Sequence, residues 1–125
     1  MARAPLPSRM FRLGFWALVL GVAVLSLLPG QYLPPQTASI WDKAQHALAF
    51  SALGAWGLRV YPRQPGRVLI GLLAFGGAIE LAQSCTTWRL GDWQDWLADA
   101  VGLALGSMLA WGLGRYQARK GKAGG

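Results

Sequence analysis

The sequence predicts an all-α integral membrane protein, a bundle of four transmembrane helices with both termini in the cytoplasm. Hydrophobic residues make up 54% of the 125 residues and come in long blocks, unlike the interrupted pattern of a soluble core. Ten of the twelve basic residues fall at one end of these blocks, and all five acidic residues and the single histidine fall at the other. Because charge is costly in a bilayer, this sorting predicts both the topology and a candidate site.

Four apolar segments have about the 20 residues that a helix needs to cross the bilayer core. Pro29 and Pro62, which cannot continue a helix, follow the first two segments. No small-x-small cleavage site follows the first segment, so we expect it to remain as a transmembrane helix rather than to be removed as a signal peptide. The predicted transmembrane helices cover about 13–28, 41–61, 67–85 and 94–114.

The basic residues set the predicted orientation. They flank the N-terminus, the second connection and the C-terminus, whereas the other connections carry only Lys43 and Arg89. Because loops rich in lysine and arginine stay in the cytoplasm, both termini are predicted to be cytoplasmic. The chain is thus divided into a basic cytoplasmic tail over 1–12, a four-helix transmembrane domain over 13–114, and a basic, disordered cytoplasmic tail over 115–125.

The formal net charge of +7 could also indicate a nucleic-acid-binding protein. Here the basic residues form short clusters beside apolar segments, and no nucleic-acid-binding fold signature is present. Membrane lipids are therefore the expected partners, and nucleic acid is not. The chain also lacks the signatures of familiar soluble catalysts, such as an HExxH motif or a phosphate-binding loop.

Polar residues on three of the predicted helices lie at a similar depth. His46 and Glu80 are each about 20 Å along the helix from the cytoplasmic basic residues, and Asp99 is slightly higher. Residues three or four apart share a helix face, so each helix presents one polar pair. These pairs are Asp42 with His46, Glu80 with Gln83, and Asp95 with Asp99. The acidic side chains are therefore predicted to face the interior of the bundle and to meet there.

Small residues continue the polar stripe of the fourth helix. Gly102 and Gly106 follow Asp95 and Asp99 on the same face, in a small-xxx-small pattern. Such a pattern lets two helix backbones approach closely. We therefore expect another helix to pack tightly against the fourth helix beneath the polar residues.

Several chemistries could use these residues. His46, Glu80, Asp95 and Asp99 are the candidates for acid and base catalysis, in which one group takes a proton and another returns it. A second set of residues is the candidate for headgroup recognition: Lys43, Gln83, Arg89 and Asp92. Of these, the Arg89 guanidinium can form two hydrogen bonds to one phosphate or carboxylate group. Carboxylates with an imidazole can also hold a divalent cation, but no zinc-site spacing is present and no residue is assigned as a metal ligand. A purely structural role, linking the helices, stays open as well.

The order of these residues resembles the VanZ-like membrane proteins, over most of the chain. The resemblance rests on Asp42-Lys43-x-x-His46-x-x-x-Phe50, then Glu80-x-x-Gln83, then Arg89 with Asp92, Asp95 and Asp99, and finally Gly102-x-x-x-Gly106. It implies a small multi-pass protein of the bacterial inner membrane. The founding member of the family is associated with teicoplanin resistance.

The predicted function follows from the resemblance and the polar residues together. We expect a VanZ-like protein that acts on the bacterial cell envelope through an outward-facing pocket of histidine and carboxylates, with a link to glycopeptide tolerance. The pocket would bind or process the headgroup of an anionic lipid or a cell-wall precursor. In the alternative, the protein is a non-catalytic structural or interaction protein whose polar residues only hold the helices together. Oligomerisation is left open by the sequence.

Overall fold

The computed structural model describes residues 7–29, 39–88 and 91–125. Within these ranges the chain forms four α-helices and no strand, so the all-α prediction is confirmed. The helices are α1 (Arg9–Leu27), α2 (Ser39–Val60), α3 (Pro65–Ser84) and α4 (Trp93–Ala123).

Local sequence signals explain where three of these helices begin. The Ser8 hydroxyl accepts a hydrogen bond from the backbone N–H of Phe11 at 3.2 Å and so caps α1. Pro65 occupies the first turn of α3, where its missing N–H would have no helical partner. Asp92 caps α4, because its side chain accepts from the backbone N–H of Gln94 at 2.8 Å.

Helices extend into both of the predicted tails. Of the segment 1–12, predicted as a basic tail, the structure describes residues 7–12, and α1 begins at Arg9. The segment 115–125 was expected to be disordered, but α4 is helical through Ala123. The sequence after Gly114 contains good helix formers, and Arg115 lies over the Trp111 ring, 4.6 Å from its centroid, as an i, i+4 pair. Charge alone therefore does not end this helix.

Contacts between helices confirm the predicted sorting of charge among the described residues. At one end, called the basic end, the Trp56 indole donates to the carbonyl oxygen of Phe11 at 3.1 Å and Arg59 donates to Gln117 at 3.3 Å. At the opposite end, called the acidic end, Lys43 contacts Asp92. All five carboxylates of the chain belong to the acidic end. Asp42 precedes Lys43, and Glu80 accepts a hydrogen bond from the backbone N–H of Asp92. Asp95 and Asp99 follow Asp92 within the first two turns of α4.

The helix α2, like α3, contacts each of the other three helices. Its closest partner is α4, where Gly102 and Gly106 face the small residues of α2. A Cβ atom at Gly102 would overlap the carbonyl oxygen of Ala47, and one at Gly106 would lie 2.9 Å from the backbone nitrogen of Ala55. The close approach predicted from the small-xxx-small pattern is therefore confirmed, with α2 as the partner.

Three of the described helices, α1, α3 and α4, are long and apolar enough to cross a membrane, with mean hydropathy of 2.0, 1.4 and 1.4 over their most apolar windows. Large apolar side chains cover their outer faces; for example, Leu20, Ile70 and Met108 are 65%, 72% and 68% exposed. Such extensive exposed apolar surface is typical of a membrane protein. The helix α2 is not among these three, and it carries Lys43, His46 and Arg59 within its 22 residues.

Candidate functional site

A cluster of polar side chains joins α2, α3 and α4 at the acidic end. We call it the polar cluster, and its members are Lys43, His46, Glu80, Asp92, Asp95 and Asp99. The first two residues come from α2 and Glu80 comes from α3, while the three aspartates come from the N-cap and first two turns of α4. The sequence predicted that His46, Glu80, Asp95 and Asp99 would meet, and the structure brings them together; for Lys43 and Asp92 it predicted headgroup binding instead.

Within the polar cluster, two side chains of α2, Lys43 and His46, each contact two aspartates of α4. Lys43 Nζ lies 2.9 Å from Asp95 Oδ1 and 3.2 Å from Asp92 Oδ2. One turn further along α2, His46 Nδ1 lies 2.9 Å from Asp99 Oδ1, and its Nε2 lies 3.8 Å from Asp95 Oδ2. The i, i+3 spacing on α2 therefore matches the i, i+4 spacing on α4, so that each basic side chain meets a carboxylate.

The third helix contributes Glu80. Its Oε2 accepts a hydrogen bond from the backbone N–H of Asp92 at 2.8 Å, which ties α3 to the start of α4. A ring nitrogen of His46, a carboxylate oxygen of Glu80 and one of Asp99 all lie within 4.8 Å of one another. Three helices thus bring one ionisable side chain each to the same point.

Three of the four carboxylates of the polar cluster are unusually buried. The relative exposures of Glu80, Asp95 and Asp99 are 8%, 6% and 1%. Glu80 Oε1 and Asp99 Oδ2 have no hydrogen-bond partner among the described residues. A buried acceptor without a partner costs about 1–3 kcal/mol, and more if it is charged. The described side chains of the polar cluster therefore leave two of its buried acceptor atoms without a hydrogen bond.

Gly76 on α3 forms the floor beneath Asp99. A Cβ atom at this position would lie 2.6 Å from Asp99 Oδ2 and 3.2 Å from the ring of Phe50. Phe50 itself is 1% exposed, so that the floor has no room for a side chain. The sequence prediction missed Gly76, although the Gly76-Gly77 pair inside an apolar helix was a signal for close packing.

Gln83 lies beside the polar cluster and links α3 to α1. Its Nε2 donates to the carbonyl oxygen of Ser26 at 2.8 Å, and the Trp88 indole donates to that of Leu27 at 3.0 Å. Both carbonyl groups belong to the last turn of α1, where the helix leaves them without internal partners. Gln83 therefore has a clear structural role, and its predicted part in headgroup binding stays a prediction.

Lys43 and Asp92 were predicted to bind a headgroup, but in the structure they contact each other. The backbone N–H of Gln94, assisted by the Lys43 ammonium, holds the pKa of Asp92 below its ordinary value. Asp92 is thus the ionised cap of α4, and Lys43 is engaged by two carboxylates. Arg89, the remaining predicted headgroup ligand, lies outside the described residues.

A second group of three ionisable side chains shares His46 with the group of His46, Glu80 and Asp99. Asp42, His46 and Asp95 also offer one ligand atom each within 4.8 Å of one another. Asp95 in this group is already bound by Lys43. His46 is shared between the two groups and is therefore the central residue of the acidic end.

Comparison with known proteins finds no family model, no curated protein and no solved structure that matches this chain. The resemblance to VanZ-like proteins therefore stays a prediction. The proposed catalytic roles of His46, Glu80, Asp95 and Asp99 stay predictions too. The function must be argued from the geometry of the polar cluster and from the apolar surface around it.

Proposed function

We propose that the chain is a four-span protein of the VanZ-like type in the bacterial inner membrane, with both termini in the cytoplasm. The three apolar helices supply three of the spans. With its 22 residues, α2 is about 33 Å long, enough to cross a core of about 30 Å. Its polar side chains face other helices, which is where a membrane tolerates them. The basic end carries the arginines that favour the cytoplasmic side.

In this orientation the polar cluster lies near the outer surface, and we propose that it binds the headgroup of an anionic lipid or of a lipid-linked cell-wall precursor. The observation that carries the proposal is the convergence of His46, Glu80 and Asp99 with two buried acceptor atoms left without partners in the described structure. Polar groups that only hold helices together are normally paired throughout, because a partly satisfied network costs stability.

A cavity beside the polar cluster supports binding of such a molecule. It has a volume of about 530 Å³ and lies between α3 and the start of α4. Glu80, Asp92 and Ser84 give it polar groups, while Trp93 and Trp96 give it aromatic surface. The cavity is widely open, and like small-molecule sites it combines apolar walls with a few polar groups. The headgroup would lie at the polar wall and an acyl chain along the apolar face of α3.

The proposal predicts that isosteric changes in the polar cluster remove function without removing the fold. Glu80→Gln keeps an acceptor for the Asp92 N–H, and His46→Asn keeps a polar group near Asp99. A deletion strain carrying either variant should show the envelope phenotype of the deletion, measured as teicoplanin sensitivity and as the profile of lipids and cell-wall precursors. Membrane yield and thermal stability should stay close to wild type.

The matched control is Ser107→Ala, which removes the 2.7 Å hydrogen bond to the carbonyl oxygen of Leu103 on α4, away from the polar cluster. It should complement the deletion. If function instead falls in proportion to folded yield across all three variants, the structural alternative is correct and the polar cluster only links helices. An unchanged phenotype in well-folded Glu80→Gln would also contradict the proposal.

A further inference from the structure

We infer that His46, Glu80 and Asp99 form a binding site for one divalent cation of the zinc or manganese class. The inference deepens the proposed function, since the bound cation would contact the phosphate of the headgroup. Each of the three ligands comes from a different helix. One ligand atom from each already lies within 4.8 Å of the other two, so that small movements suffice to bring them onto one ion.

The distance between two of the ligand atoms fits a shared ion. His46 Nδ1 and Asp99 Oδ1 are 2.9 Å apart and form a hydrogen bond, which an ion bound between them would replace. Adjacent ligand atoms of an octahedral ion with bonds of about 2.1 Å are about 3.0 Å apart. For a tetrahedral zinc ion with bonds of about 2.0 Å, the corresponding separation is about 3.3 Å. Either ion is accommodated with a change of a few tenths of an ångström at this pair.

The unpartnered oxygens give an independent indication of a ligand. Asp99 is 1% exposed and Glu80 is 8% exposed, so that bulk water reaches neither side chain freely. In each carboxylate one oxygen is held, by His46 or by the Asp92 N–H, and the other has no partner in the described part of the chain. A cation held by the two carboxylates would neutralise their buried charge.

The charge balance favours a doubly charged ion. Neutral His46 with two ionised carboxylates carries a formal charge of −2, which one divalent cation neutralises. Lys43 cannot replace it, because its ammonium is bound to Asp92 and Asp95. In the group of Asp42, His46 and Asp95, a cation would lie close to the Lys43 ammonium, which would repel it. We therefore prefer the site formed by His46, Glu80 and Asp99.

The ligand types indicate the class of ion. Calcium and magnesium prefer all-oxygen sites, whereas one imidazole with two carboxylates suits zinc or manganese. Three protein ligands leave at least one coordination position open. That position could take a phosphate oxygen from a molecule in the cavity of about 530 Å³ that Glu80 also lines. An acidic cluster could in this way bind an anionic headgroup.

The site is tested by metal binding to the full chain, purified in detergent and stripped with a chelator. Calorimetric titration with Zn²⁺ and electron paramagnetic resonance with Mn²⁺ should each show about one bound ion per chain, as three protein ligands imply. Glu80→Gln and Asp99→Asn should lower the affinity at least about tenfold, since loss of a direct ligand should cost no less than loss of an outer-shell partner. Asp42→Asn, which removes the same charge from the neighbouring group, should bind as wild type does.

Melting temperatures test metal binding even where a variant folds poorly. Because a ligand of the native state raises its stability, Zn²⁺ should raise the melting temperature of the wild type and of Asp42→Asn, but not that of Glu80→Gln. The inference is overturned if the folded wild type binds neither ion at one per chain. It is also overturned if Glu80→Gln and Asp99→Asn bind normally, or if only Asp42→Asn loses the ion.

These outcomes are separable from those for the proposed function. Ion binding without any envelope phenotype in the Glu80→Gln strain would leave the site standing and reject the function. The reverse result, a lost phenotype in a protein that binds no ion, would keep the function and reject the site. Binding of inorganic phosphate to the Zn²⁺-loaded wild type, compared with the stripped protein, tests the bridging step directly.

Discussion

Gly102→Ala is expected to lower the free energy of unfolding by about 1–3 kcal/mol, the usual cost of overpacking. The new methyl group would overlap the carbonyl oxygen of Ala47, which belongs to the backbone of α2 and cannot rotate away. The two helices would have to separate, and the contacts of Lys43 and His46 with α4 would lengthen. Unfolding of the purified protein in mixed micelles with increasing denaturing detergent measures the effect.

The matched control lies on the same helix. Gly112 has open space around the position of a Cβ atom, so Gly112→Ala should stabilise the helix by about 0.5–1 kcal/mol. The two substitutions are chemically identical, and they should differ in sign. Equal effects at both positions would show that the close packing of α2 on α4 is incorrect.

Gly76→Ala should remove the envelope function and destabilise the fold by about 1–3 kcal/mol. Its methyl group would lie 2.6 Å from Asp99 Oδ2 and 3.2 Å from the Phe50 ring. Both neighbours are almost fully buried, so the Asp99 side chain must move and its contact with His46 must lengthen. Complementation of the deletion strain and detergent unfolding measure the two effects.

Gly71→Ala is the control on α3, because a Cβ atom there would meet nothing within 4 Å. It should complement the deletion fully. A Gly76→Ala variant that is as active and as stable as Gly71→Ala would contradict the placement of Asp99 against α3.

Much of the fold follows from local features of the sequence. The four helices and most of their ends could be predicted, because apolar length and helix-breaking residues such as Pro29 and Pro62 act on the chain locally. The meeting of His46, Glu80 and Asp99 could be predicted as well. Helical periodicity sets the face of each side chain, and the rise per residue sets its depth.

Other features depend on how the helices pack, which no single segment encodes. The packing of α2 against the other three helices lets its polar residues face protein, whereas α2 on its own is not among the helices apolar enough to cross a membrane. The pairing of Lys43 with Asp92 and Asp95 needs the register between α2 and α4, so sequence reasoning assigned Lys43 to a headgroup instead. The sequence predicts an end of the fourth helix at Gly114 and a disordered tail after it, whereas α4 continues to Ala123.

The most direct test of the account is the side of the membrane on which the acidic end lies. The chain has a single cysteine, Cys85, which is exposed and follows α3 five residues after Glu80. A maleimide that cannot cross membranes can therefore be applied to intact spheroplasts without mutation of the site. A Cys85→Ser variant with Gln117→Cys places the only thiol at the basic end as the control.

We predict that Cys85 reacts in intact spheroplasts and that a cysteine at position 117 reacts only after the membrane is permeabilised. Both thiols should react in detergent. Labelling of Cys85 only after permeabilisation would place the polar cluster in the cytoplasm and contradict the proposed action on the cell envelope.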